Sequence, residues 1–117
     1  MSDCVADTHA LYWYLMTRST LGAKAQAAFL AREQGRAIIY IPSIVIAELC
    51  YLNIKLGRPL KFAQGFQRLA AAGQFLFVDF RAADVLHSDA LSAIPEMHDR
   101  IVAGVAYALG LPLLTRD

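Results

Sequence analysis

The sequence predicts an α/β domain of three layers, in which helices flank a mainly parallel central sheet. Two observations carry this prediction. Short runs that are apolar throughout alternate along the chain with longer segments of helical spacing. Strands that are apolar on both faces belong to sheets covered on both sides, and such sheets are mainly parallel. Because parallel neighbours need a crossover between them, the alternation of strand and helix follows from the same topology.

Four apolar runs are the predicted strands, and they cover residues 4–6, 37–41, 75–80 and 111–114. Apolar residues at helical spacing predict helices over residues 21–32, 44–56, 60–72 and 99–109, with one more beginning near Thr8. Gly110 follows the last of them and suits a helix C-cap. We expect a single domain over residues 1–117, since the chain shows no linker, low-complexity run or internal repeat.

Composition narrows the class of protein. Apolar residues make up 57% of the chain, yet charges interrupt every stretch before the roughly 18 apolar residues that a membrane span needs. The first residues carry no basic segment of a secretory signal, so we expect a cytoplasmic protein without a membrane partner. Cys4 and Cys50 have no metal-type spacing and are expected to be free thiols. The net charge of +1 neither favours nor excludes nucleic acid.

Two aspartates stand directly after predicted strands. Asp7 follows the first strand and Asp117 follows the last. In open parallel sheets ligands bind beyond the carboxyl ends of the strands, so these two side chains are expected at one rim. Asp7 also suits the N-cap of the helix that begins near Thr8, and the sequence leaves both roles open.

Two further acids lie in helices that are otherwise apolar. The residues three and four positions from Glu48 are all apolar, so its carboxylate needs either a salt-bridge partner or a cleft to face. No basic residue lies within four positions of it. Asp99 opens the last helix, where the positive end of the helix dipole favours an acid.

Carboxylates that converge on one rim create an electrostatic problem. Each pair would repel by about 3 kcal/mol at 5 Å and an effective dielectric of 20. A divalent cation relieves this repulsion, and oxygen ligands suit Mg²⁺ or Mn²⁺. No His and Cys set has the spacing of a zinc site, since His9, His87 and His98 are scattered. The pattern therefore favours hard-metal chemistry on phosphate.

Four motifs carry a resemblance to a known family: VADTHALYWYL, PSIVIAELCYL, IPEMHDRIVAGVAYALGLPL and LLTRD, in this order. With them the chain resembles the PIN-domain family, especially the VapC-type ribonuclease toxins of bacterial toxin-antitoxin pairs. The resemblance spans nearly the whole chain. It implies that the metal-binding and catalytic acids are Asp7, Glu48, Asp99 and Asp117, supported by the hydroxyls of Thr8 and Thr115.

The resemblance also implies an activity and partners. We expect an endoribonuclease that hydrolyses RNA with Mg²⁺ or Mn²⁺, forms a homodimer and binds a cognate antitoxin. Metal-activated water would attack the phosphodiester bond. A PIN-like module that binds RNA or protein without catalysis is the alternative. Family members usually continue past the position of Asp117 through another short strand or helix, so the resemblance leads us to expect a domain without that tail.

Several other side chains are candidates for contacts around the site. Arg100 and Arg116 each adjoin a proposed metal-binding acid and could reach a substrate phosphate, with solvated arginines as the alternative. Lys55, Arg58 and Lys61 form a basic run that is either an exposed loop or an RNA backbone contact.

Three consecutive aromatic residues lie on the first predicted helix, at Tyr12, Trp13 and Tyr14. They cannot all face one core, so we expect at least one to be exposed and the helix to be an interface candidate.

Two other enzyme classes place acids beyond strand ends, and the sequence disfavours both. A haloacid-dehalogenase-like phosphatase needs D-x-D after the first strand, where this chain has Asp7, Thr8 and His9. A response-regulator receiver needs an acidic pair there and a lysine after the last strand, where this chain continues with Arg116 and Asp117.

Overall fold

The computed structural model describes residues 3–115. Its elements in chain order are β1 (Cys4–Ala6), α1 (Thr8–Met16), α2 (Ala23–Glu33), β2 (Ile39–Pro42), α3 (Ser43–Lys55), α4 (Phe62–Ala71), β3 (Phe75–Val78), α5 (Val85–Ala90), α6 (Met97–Leu109) and β4 (Leu113–Leu114). Short 3₁₀ turns cover Arg18–Thr20 and Ala82–Asp84. Within residues 3–115 no helix is both long and apolar enough to cross a membrane.

The four strands form one sheet in the order β3-β2-β1-β4, and every neighbouring pair is parallel. Cys4 lies opposite Ile39, and Val5 lies opposite Leu113 on the other side of β1. The helices flank this sheet, which confirms the predicted three-layer α/β class. Since β1 is central, its carboxyl end, where Asp7 follows, lies between the ends of β2 and β4.

The central strands are apolar because both of their faces are covered. Val5 and Ala6 of β1 and Ile39 and Ile41 of β2 are completely buried. The largest fully buried side chain is Phe29 of α2. Burying a side chain of this kind contributes roughly 1.5–3 kcal/mol, so the sheet and its helices form a single core around β1 and β2.

Some strands are shorter than the sequence predicts, and hydrogen bonds explain why. The backbone N–H of Phe80 donates to the hydroxyl of Ser43 at 3.0 Å instead of to a neighbouring strand, so β3 ends at Val78. The N–H of Leu111 donates to the carbonyl of Ala106 and completes the end of α6, so β4 begins only at Leu113.

Helix boundaries also differ in places from the prediction. Leu60 lies outside α4, because both of its backbone polar groups bond to the side chain of Asn53 at 2.9 Å. The predicted last helix begins two residues before Asp99, since Glu96 caps it. The six-residue helix α5 was not predicted, because it is too short to show helical periodicity.

The three consecutive aromatics of α1 are more enclosed than the sequence predicts. Tyr12 is buried, whereas Trp13 and Tyr14 are half-buried. The ring of Tyr14 stacks on Phe29 with centroids 4.1 Å apart, and Trp13 packs edge-on against Tyr12 at 5.1 Å. The prediction that at least one of them is exposed is therefore wrong, and for Tyr14 the reason is that α2 provides a second packing surface.

Both cysteines are free thiols, as predicted. The sequence also predicts that both are buried, which holds for Cys4, whereas Cys50 is only half-buried. Cys4 lies within β1, and its burial raises the pKa of the thiol to about 11. The thiol therefore stays protonated and unreactive at neutral pH.

Candidate functional site

The predicted acids of three different elements line one cleft of about 720 Å³. Asp7 lies directly after β1, Glu48 lies within α3 and Asp99 lies in the first turn of α6. The fold thus brings together side chains that are far apart in sequence. The fourth predicted acid, Asp117, and the neighbouring Arg116 lie outside the described residues.

Asp7 combines the two roles that the sequence left open. Its Oδ1 accepts a hydrogen bond from the backbone N–H of Ala10 at 2.9 Å and so caps α1. Its own N–H donates to the carbonyl of Leu114 in β4. Burial raises the pKa of the Asp7 carboxyl above its ordinary value, and the charge of Asp99 adds to this rise against the lowering by the Ala10 N–H. Burial and the neighbouring acid therefore both disfavour the charged form of the Asp7 carboxyl.

Glu48 is held by a neighbouring hydroxyl across the cleft. The Oγ1 of Thr8 donates to Oε1 of Glu48 at 2.8 Å, and Thr8 itself is only 7% exposed. The other carboxylate oxygen, Oε2, lies 3.4 Å from Nδ1 of His98. Within residues 3–115 no lysine or arginine forms an ion pair with Glu48. A cleft-facing carboxylate is thus the arrangement that the structure shows, with a histidine as its nearest basic group.

The start of α6 supplies a second acid and a histidine besides Asp99. Glu96 is the N-cap of the helix, and its Oε2 accepts from the backbone N–H of Asp99 at 2.8 Å. This hydrogen bond is the main reason that the pKa of Glu96 lies below its ordinary value. Nδ1 of His98 lies 3.4 Å from Oε1 of Glu96. His98 therefore stands between two carboxylates, those of Glu48 and Glu96.

The predicted supporting and substrate-contacting residues have different surroundings. Thr115 lines the cleft and is exposed there. Arg100 instead points to the loop before α6: its Nε donates to the carbonyl of Ile94 at 2.8 Å and its Nη2 to that of Ser92 at 3.4 Å. Arg100 is not among the residues that line the cleft. Arg100 thus holds the loop before α6, and the phosphate contact predicted for it stays a prediction.

The basic run after α3 forms an exposed but well-anchored loop. Lys55, Arg58 and Lys61 are all exposed. Arg58 has a φ of 63°, and its N–H donates to the carbonyl of Asn53 at 2.7 Å. The side chain of Asn53, which is 2% exposed, bonds both backbone groups of Leu60. Hydrogen bonds to Asn53 therefore fix the loop to α3.

Sequence reasoning missed three side chains that line the cleft. His9, Tyr51 and His98 all border it. For both histidines a signal was present in the sequence, because His9 lies two positions after Asp7 and His98 directly precedes Asp99. For Tyr51 a signal was present, because it lies one helical turn after Glu48 and so shares its face of α3.

Three carboxylates line the cleft, and within the described chain none of them is paired with a lysine or arginine. Oxygen ligands of this kind suit a hard divalent cation. As placed, however, no three His, Cys, Asp or Glu side chains between residues 3 and 115 lie close enough to hold an ion together. The described residues therefore fit the kind of ligand set that Mg²⁺ takes, without forming a closed cage for it.

Comparison with known proteins identifies the family. The model of the PIN domain matches residues 4–117, so the chain belongs to the PIN-domain family. PIN domains are generally nucleases, which places the chain among the hydrolases.

Solved structures share the fold. Nine chains match, among them one in the crystal structure of VapBC2 from Rickettsia felis bound to a DNA fragment from their promoter. That match has a TM-score of 0.67 and 18% identity, and it covers 100% of both chains. No curated protein matches the sequence.

Proposed function

We propose that this protein is an endoribonuclease that hydrolyses RNA phosphodiester bonds with Mg²⁺ or Mn²⁺ as cofactor. One observation carries the proposal: carboxylates from β1, α3 and α6 line a single cleft without a lysine or arginine of the described chain to neutralise them. The charges of Asp7 and Asp99 repel each other, and a bound cation would relieve this repulsion. When bound, the ion would lower the pKa of water for attack and stabilise charge on the phosphate.

Each residue of the cleft has a distinct task in this proposal. Asp7, Glu48 and Asp99 are metal ligands, and we assign Asp117 as the fourth from the family resemblance. Thr8 holds Oε1 of Glu48 by its hydrogen bond, so that Oε2 faces the cleft beside Nδ1 of His98. Asp99 lies in the first turn of α6, at the positive end of the helix dipole.

Thr115 borders the cleft on the side of β4, where its hydroxyl is available to the ligand set. We assign it the supporting role that the family resemblance implies.

We further propose that the enzyme is the toxin of a type II toxin-antitoxin pair, acts in the cytoplasm and forms a homodimer. The support is its family and the fold that it shares with a chain of the VapBC2 structure. An acidic cleft attracts a basic side chain, so a cognate antitoxin would insert an arginine among the carboxylates. Inhibition should then be competitive with Mn²⁺, and a tightly bound antitoxin that left the Mn²⁺ affinity unchanged would contradict this mode.

RNA cleavage tests the proposed activity directly. The purified protein should cleave single-stranded RNA with Mg²⁺ or Mn²⁺ and stop in EDTA. Asp99→Asn should abolish cleavage while its circular dichroism spectrum stays that of the wild type. Asp89→Asn is the matched control, since Asp89 is an exposed acid of α5 outside the cleft. Cleavage in excess chelator, or by Asp99→Asn, would contradict the mechanism.

A non-catalytic PIN-like module that binds RNA or protein is the second candidate. The observation in its favour is that the described carboxylates do not close around an ion. Titration with Mn²⁺, followed by calorimetry, separates the two functions. The enzyme should bind Mn²⁺ at the cleft and lose that binding in Glu48→Gln, whereas a module without catalysis has no need of the ion.

A further inference from the structure

We propose that Tyr51 is a stacking platform for a base of single-stranded RNA at the edge of the acidic cleft. The inference rests on the proposed function, because it concerns how the same cleft holds its substrate. It names a positioning residue outside the set of metal-binding acids. It also restricts the substrate to strands whose bases are free to leave a duplex, since a paired base offers no face to a protein ring.

The position of Tyr51 is the first observation. The residue lies three positions after Glu48 on α3, so the two side chains share one face of the helix about 4.5 Å apart along its axis. Both line the same cleft. Yet Tyr51 is 70% exposed, and the structure shows no hydrogen bond from its hydroxyl within the described residues. A large ring thus stands at the mouth of the cleft, available to a ligand.

The cleft that Tyr51 lines also has apolar side chains in its wall. Leu52 of the same helix and Ile94 of the loop before α6 also line the cleft. Apolar walls do not compete for the hydrogen-bonding edge of a base, but they do accept its flat face beside an aromatic ring. The chemistry around Tyr51 therefore fits a stacked base better than it fits a bound phosphate.

The charge of the cleft provides the second observation. Asp7, Glu48 and Asp99 repel an anionic strand, so the acids cannot supply the affinity for RNA by themselves. Stacking on an aromatic ring involves no net charge and contributes to binding of single strands irrespective of sequence. Affinity is therefore expected to come from groups beside the acids.

A cation follows the ring on the same helix. Lys55 lies four positions after Tyr51, so it occupies the same side of α3 one turn further on, and it is exposed. Lys55 is the first residue of the basic run, and the side chain of Asn53 anchors the loop of this run through the backbone of Leu60. Along one face, α3 thus presents an acid, an aromatic ring and a cation in succession. An RNA strand can place its scissile phosphate at the acids, a base on Tyr51 and a further phosphate at Lys55.

Equilibrium binding to RNA tests this arrangement. The probe is a fluorescently labelled single-stranded RNA oligonucleotide, with binding followed by anisotropy in EDTA so that no cleavage intervenes. Tyr51→Ala should raise Kd at least about fivefold, the lower end of what one stacked base contributes. Tyr51→Phe keeps the ring and should stay within about twofold of the wild type. Tyr107→Ala is the matched control, because Tyr107 of α6 is 64% exposed but does not line the cleft.

Two further measurements separate stacking from charge. An abasic strand of the same length should bind to the wild type and to Tyr51→Ala equally well, since it offers no base to the ring. Lys55→Ala should lower the slope of log Kd against log salt by about 0.7, the share of one phosphate contact on a single strand, whereas Tyr51→Ala should leave that slope unchanged.

The outcomes distinguish this inference from the proposed activity. If Tyr51→Ala binds the RNA as tightly as the wild type, the inference is overturned, even if the protein cleaves RNA with Mg²⁺. If Tyr51→Ala weakens self-association in sedimentation and leaves RNA binding intact, Tyr51 belongs to a protein interface and the inference is also overturned. If RNA binding depends on the ring but no cleavage occurs, the inference stands and the proposed ribonuclease activity fails.

Discussion

The hydrogen bond from Thr8 to Glu48 joins α1 to α3 at the centre of the cleft, and its removal should loosen both the fold and the site. Thr8→Val keeps the shape of the side chain and removes the only donor that it offers. Glu48→Ala removes the acceptor. A double-mutant cycle over the two positions then isolates the energy of this contact from the other effects of each change.

The structure sets the size of the expected coupling. A hydrogen bond to a charged group contributes roughly 1.5–3 kcal/mol. Thr8 is almost fully buried, whereas 27% of the Glu48 side chain is exposed, so water replaces part of the lost bond. We therefore expect a coupling energy of about 1–2 kcal/mol. Thr8→Val alone should destabilise the protein by less, because the buried methyl group that replaces the hydroxyl contributes about 0.8 kcal/mol of its own.

Urea denaturation of the four proteins in EDTA at pH 7 measures the coupling. Thr8→Ser is the control, since it keeps the hydroxyl and should retain most of the contact. In the presence of Mg²⁺, Thr8→Val should also lower kcat/KM for RNA by about tenfold if about 1.4 kcal/mol of orientation is lost at the transition state. A coupling below about 0.3 kcal/mol would show that Thr8 does not hold Glu48, because that is the level of additivity for independent sites.

Three further predictions concern single side chains. Asp7→Asn should raise the thermal midpoint in EDTA at pH 7, since it removes a half-buried charge beside Asp99 and keeps the capping oxygen. Saturating Mn²⁺ should reverse this order. A lower midpoint in EDTA would show that the charge of Asp7 does not destabilise the fold. The Tyr14 hydroxyl holds the pKa of Glu33 below its ordinary value, so Glu33→Gln should destabilise the protein at pH 7. The loss of stability in Glu33→Gln should shrink as the pH falls from 4.5, the ordinary pKa of the Glu33 carboxyl, through its lowered pKa in the folded protein. A loss that urea denaturation shows to be independent of pH would contradict this prediction. Asn53→Ala should destabilise by about 2–4 kcal/mol in the same assay, because it leaves both buried backbone groups of Leu60 unpaired; a loss under about 1 kcal/mol would show that water replaces the amide.

The part of the site that sequence could predict is the part determined within single elements. Glu48 was identifiable because a carboxylate among apolar helical neighbours has few ways to be satisfied. Asp7 was identifiable from its place after an apolar strand, and its capping role from the helix that follows. The parallel direction of the strands followed from their apolar character on both faces.

The remainder depends on how helices pack against each other. His98 approaches Glu48 only because α6 lies against α3, and nothing in the local sequence encodes that distance. Arg100 looked free to reach a phosphate, yet the loop before α6 turns its carbonyl groups toward the guanidinium. Tyr51 reads as a core residue by its spacing, and only the open cleft makes it available to a ligand. Contacts of this kind arise from tertiary structure, so no local pattern of the sequence predicts them.

The wholly parallel sheet also determines the stage of folding at which the cleft forms. Strand β1 joins partners that lie roughly 35 residues away in β2 and roughly 108 residues away in β4, so no pairing of this sheet can form as a local hairpin. Closing such long loops is slow, because the chain loses entropy before the strand contacts stabilise it. We therefore expect these strand pairings to limit the rate of folding. Asp7 acquires its hydrogen bond to the β4 carbonyl only at that step. We therefore expect a newly made or partly unfolded chain to form helices before it forms the acidic cleft, and the proposed RNA cleavage to return last on refolding.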